Sequence, residues 1–165
     1  MTDAQTAVAD IVETHRDRVV VEANALYDAH VPSARAIEAS DRLRTATTIC
    51  VAFEHFLRGA PFTVLRDVLR GLADKRRAEG FSLKDILLAP TIYAHAMRRG
   101  AGHALSEAQT RIVEDAMLRV AALWNDVILG LAREAHAHDD ERRDGPPLDP
   151  RADFEDTAPK PGRRR

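Results

Sequence analysis

An all-α fold of about five to six helices follows from three features of this sequence. Apolar residues recur at three- and four-residue steps through most of the first 138 positions. Ser, Gly and Pro fall where those stripes begin and end, as helix caps and stops require. No stretch alternates apolar and polar residues between turn signals, so a sheet is not expected.

The bulk properties agree. In 165 residues, 45% hydrophobic content supplies a core for one domain, and 30% charged content suits solvated helix faces. A formal net charge of −2 argues against a chain built as a whole to bind nucleic acid. The single cysteine, Cys50, excludes an intrachain disulfide framework and suits a reducing, cytoplasmic setting. Met1-Thr2-Asp3-Ala4 lacks the basic-then-apolar pattern of a secretory leader. No apolar run approaches the ~18 residues of a membrane span, so no membrane contact is expected.

The first helix is expected over residues 3–30, with Val8, Val12, His15, Val19 and Leu26 on one face and Pro32-Ser33 as its stop. Val19-Val20-Val21 is β-branched and strand-like by itself, but its flanks carry the helical period. Residues 34–58 form the second segment, broken near Ser40, with Leu43, Ala46, Cys50, Phe53 and Leu57 as a continuous apolar stripe. Gly59 and Pro61 end it. The third helix covers 62–79, with Leu65, Val68, Leu69 and Leu72 inward, and Gly80 stops it. Ser82 and Asp85 then start a fourth helix, whose apolar face begins with Leu83, Ile86 and Leu87 and continues to Met97. Pro90 lies inside this pattern, where it removes a backbone donor and forces a kink or short break. Gly100 and Gly102 end the segment. Ser106 and Gln109 form a second capping box, opening the longest helix, about 106–138. Its main stripe is Val113, Met117, Val120, Trp124, Val127 and Leu131, widened by Ile112, Leu123 and Ile128, so it should be the most buried helix.

From Asp139 the composition shifts. Five of the eight prolines lie there, with eight acidic and seven basic side chains and few apolar ones. Such a segment cannot bury enough surface to offset its ordering entropy. The expected organisation is therefore a helical domain at 1–138 and a disordered, Pro-rich charged tail at 139–165.

Candidate chemistry is sparse. The seven histidines are His15, His30, His55, His95, His103, His136 and His138. A di-iron bundle needs Glu-x-x-His on two helices, and none occurs. Glu54 and His55 are adjacent, and Glu134, His136 and His138 step by two, so neither set converges on a helix face. Haem needs only one axial histidine, for which His95 and His15 are the candidates, against the plainer reading of boundary histidines bonded to a carbonyl or carboxylate. Cys50 sits on an apolar stripe and reads as a small inert hydrophobe. No nucleophile elbow or phosphate-binding glycine loop is present. Lys75-Arg76-Arg77 lies near a helix C-terminus, where cations complement the dipole, rather than forming a nucleic-acid patch. Trp124 reads as a core or interface anchor, with ligand stacking as the rival role. No catalytic residue or metal ligand is assigned, and no cofactor is expected. If a ligand such as haem binds, His95, His15 and Trp124 are the residues to inspect.

Arg77-Ala78-Glu79-Gly80-Phe81-Ser82-Leu83-Lys84-Asp85 combines a basic-Ala-Glu-Gly helix end with an apolar-Ser-apolar-x-acidic helix start. In this it resembles the N-terminal domain of the RsbRD type, also called the RsbT co-antagonist N-terminal domain. The long helix ending around Trp124 fits as well. The resemblance spans about residues 5–138, with 71–99 its specific part, and the motif is structural. It implies a globin-like or related helical bundle that serves as a dimeric, haem-free sensory module. Such modules usually precede an effector domain of a stress or transcriptional regulator. Here only the tail follows residue 138, so the implied role is an input module acting through a partner protein. The expected function is thus non-enzymatic regulation or sensing, the rival being a haem- or small-ligand-binding sensor.

Overall fold

The computed structural model describes residues 3–143, with side chains through residue 137. The helices in order are α1 (Asp3–Thr14), α2 (Arg16–His30), α3 (Ala39–Leu57), α4 (Phe62–Ala78), α5 (Leu83–Leu87), α6 (Ala89–Gly100) and α7 (Glu107–Arg143). Short 3-10 turns at Pro32–Ala36 and Gly102–Ala104 join α2 to α3 and α6 to α7. No strand occurs among the described residues, and the fold is all-α. The chain divides into two units, 1–132 and 133–165. The described part of the second is the end of α7. The helix continues past 138 to Arg143, and the rest of the expected disordered tail, 144–165, lies outside the described residues.

Local chemistry fixes most boundaries where the sequence places them. Glycines close α3 and α4 in the left-handed region, Gly59 at φ 85° and Gly80 at φ 86°. There the Phe81 N–H returns to the Arg76 carbonyl. Ser82 Oγ accepts from the Asp85 N–H at 3.1 Å and starts α5. Pro90 occupies the first turn of α6, so the chain breaks at Leu88 between α5 and α6. The Ser106–Gln109 box is reciprocal: the Ser106 N–H donates to Gln109 Oε1, and the Gln109 N–H donates to Ser106 Oγ.

Three expectations need correction. The first segment is two helices, because His15 (φ −103°, ψ 11°) interrupts it between α1 and α2. Ser40 does not cap α3: the helix starts at Ala39 after Glu38, and Ser40 Oγ instead donates to the Glu38 carboxylate. Leu43, Leu83 and Leu87, expected inward, are each more than a third exposed. All three lie near a helix end.

One core unites Val8 and Val12 of α1, Val19 and Ala23 of α2, Cys50 and Phe53 of α3, Leu65 and Leu69 of α4, Ile92 of α6 and the α7 stripe. Every residue of that stripe from Val113 to Leu131 is buried, as its period predicts. Gly100 does more than end α6. A Cβ there would lie 2.6 Å from Val19 Cγ2 and 2.8 Å from Val19 Cα. Absence of a side chain is what lets α6 cross α2 so closely.

Candidate functional site

Two places in this fold gather side chains with chemical potential. The first is the junction of α1, α2 and α3. Arg16, at the start of α2, meets Glu54 of α3 through two bonds, Nε to Oε1 at 2.8 Å and Nη2 to Oε2 at 2.5 Å. Glu54 is 1% exposed, a carboxylate inside the core. One turn further on, Arg58 reaches Asp10 and Glu13 of α1. Arg16 also approaches Glu13 at 3.5 Å. The pairing ties both helices flanking the His15 break to α3. Cys50, a turn before Glu54, is fully buried, and burial pushes its thiol up to about 12, with the Glu54 charge adding to the effect. Such a thiol stays protonated and is a poor nucleophile.

The second place is a groove of about 440 Å³ between α6 and α7. Its floor is apolar, built from Ala94, Met97, Leu105, Val113 and Met117. Thr91, His95, Arg98, Thr110 and Glu114 supply its polar groups, and Arg98 bonds Glu114 across it at 2.7 Å. Leu118, 71% exposed, stands at one edge.

The three ligand candidates from the sequence lie in three separate settings. His95 is exposed and lines the α6–α7 groove. His15, half-buried at the α1–α2 break, packs edge-to-face on His103 with ring centroids 4.8 Å apart. The close Val19–Gly100 crossing explains that pairing, since His15 lies one turn before Val19 and His103 three residues after Gly100. Trp124 is buried, and its indole N–H donates to the Ile86 carbonyl at 2.9 Å, which fastens α7 to α5. That bond satisfies the one polar atom of a large core side chain. Among the described residues, no three His, Cys, Asp or Glu side chains converge as a metal site would require.

Lys75, Arg76 and Arg77 each have an intramolecular role. Lys75 binds Asp41 at 2.8 Å, Arg76 binds Glu79 and Thr45 and covers the Phe81 ring, and Arg77 reaches the Leu131 carbonyl. The residue that sequence reasoning missed is Glu54. Its only local signal was a carboxylate at the four-residue step after Cys50, on the buried face of an amphipathic helix.

No protein-family model, curated protein or solved structure matches this chain. Among the described residues, no helix is long and apolar enough to cross a membrane.

Proposed function

We propose that this chain is a non-enzymatic regulatory or sensory module of the cytoplasm that acts through protein–protein contact and pairs with a second copy along α7. The observation that carries this reading is an uncovered seam on α7. Leu118 and Leu129 are 71% and 54% exposed, and Ala122 and Asn125 lie exposed between them. The steps of four, three and four residues are those of a short coiled-coil seam. Antiparallel pairing of two such helices about a twofold axis between Ala122 and Asn125 sets Leu118 against Leu129 of the second copy, a self-complementary arrangement. A single polar residue in such a seam favours one register over others. The turn and cap over 77–85 also support the reading, through their resemblance to input domains of stress and transcriptional regulators.

Sedimentation at low micromolar concentration tests it. The expected mass is twice that of the chain for the wild type and that of one chain for Leu118→Glu, with unchanged helical circular dichroism. A wild-type protein that stays monomeric at tens of micromolar removes the proposal. A second reading, a sensor for haem or a small apolar effector, is favoured by the α6–α7 groove with His95 on its wall. A haem titration that produces a Soret band, lost in His95→Ala, distinguishes it.

A further inference from the structure

Next to the α6–α7 groove, toward the core, lies a second cavity of about 30 Å³, between α3, α4, α6 and α7. Its lining is apolar throughout, with Phe53, Leu69, Val120 and the Trp124 ring among its walls. Pro90, Met97 and Met117 line both spaces, so the two methionines form a partition between groove and void. Both are buried, and besides Met1 they are the only methionines in the chain.

A water molecule needs about two to four polar partners to stay inside a protein, and the lining of this void offers none. The Trp124 N–H is already bound to the Ile86 carbonyl. What the void can hold is therefore apolar. A methionine side chain is unbranched and turns about three bonds at little cost, so it adapts to what lies against it. Two of them side by side make a partition that a thin chain can part and a broad rigid ring system cannot. In the groove, the charged lining side chains are Arg98 and Glu114, and they bond each other at 2.7 Å, which leaves no surplus charge for an ionic head. The Thr110 hydroxyl returns to the Ser106 carbonyl. Thr91 and His95, exposed one turn apart on α6, remain as hydrogen-bonding groups at the rim.

We infer that groove and void together form one binding site for a neutral molecule with an unbranched alkyl chain. The chain lies on the apolar floor of the groove, its end enters the void between Met97 and Met117 beside Trp124, and its uncharged polar head stays at Thr91 and His95. The groove, about 440 Å³, has the size and the apolar lining of small-molecule sites. This inference rests on the small-effector reading of the groove and narrows it, because a void of about 30 Å³ takes the end of a chain and not a macrocycle.

The test is titration of the full chain with the unbranched primary alcohols hexanol, octanol and decanol. It is read by the emission of Trp124, the only tryptophan, and by the carbon-13 methyl resonances of Met97 and Met117. Emission should change saturably, both methyl resonances should shift, and affinity should rise about fourfold for each added methylene. Decanoate, the same chain with a charged head, should bind more weakly than decanol. Ala89→Val adds carbons to a residue that lines the void but not the groove, so it should weaken decanol more than hexanol. Should that variant not fold, the wild-type methyl shifts and the chain-length series decide. Affinity indifferent to chain length, an unmoved Trp124 or Met pair, or decanoate binding as tight as that of decanol overturns the site. No binding of any alcohol, beside a His95-dependent Soret band with haem, overturns it and leaves the sensor reading standing. No binding of either removes both.

Discussion

Arg16–Glu54 and Arg98–Glu114 are the same pair of residue types in opposite surroundings. In the first, the carboxylate is 1% exposed and the guanidinium 27%; in the second the values are 46% and 65%. The first joins the α1–α2 break to α3, and the second spans an open groove between α6 and α7. A charge pair matters to a fold through what happens to one member when the other is lost, and that depends on access to water. One side of the molecule is therefore held by polar bonds that are costly to leave unmade. The groove side is held by apolar packing beneath, with charges above it that water can replace.

The largest expected effect comes from Arg16→Ala. It strands the Glu54 carboxylate in the core and should lower unfolding stability by about 3–5 kcal/mol in urea titration. Replacing both partners by Arg16→Met with Glu54→Leu should restore most of that loss, since no buried charge remains. If the single variant loses less than ~1 kcal/mol, Glu54 is not buried as described.

An intermediate effect is expected at Asp41. The hydrogen bond from Lys75, with Arg44 alongside, holds its carboxyl below the ordinary carboxylate range. A lowered folded value means that the stabilisation is complete above the unfolded value, about 4. It is lost as the pH falls below that toward the folded value. Urea midpoints measured from pH 6 down to pH 2.5 should decline less steeply in Asp41→Asn than in the wild type. Equal slopes would remove Asp41 as a source of acid sensitivity.

The smallest effect belongs to Arg98→Ala. Both members of its pair remain solvated, so stability should change by no more than about 1 kcal/mol. A loss as large as that of Arg16→Ala would erase the contrast between the two sides.

Much of the fold was legible because helical signals are local. The Ser82 cap, the Ser106–Gln109 box, the Pro90 break and the glycine stops each involve residues within a few positions of one another. The α7 stripe from Val113 to Leu131 was legible for the same reason, since its burial follows from its own period. The candidate sites were far less legible. Cys50 and Trp124 read correctly as core residues, but nothing local marked the His15 break or the pairing of His15 with His103.

What the sequence determined by itself is most of the helices, most of their ends and the main apolar face of the longer ones, because backbone geometry and capping act over one or two turns. Only tertiary packing decided that Glu54 lies in the core opposite Arg16, that Gly100 admits Val19, and that Leu118 is left uncovered. A helical period fixes side chains around their own axis. Which neighbour lies against each face depends on contacts between residues dozens of positions apart, and no short-range pattern encodes them.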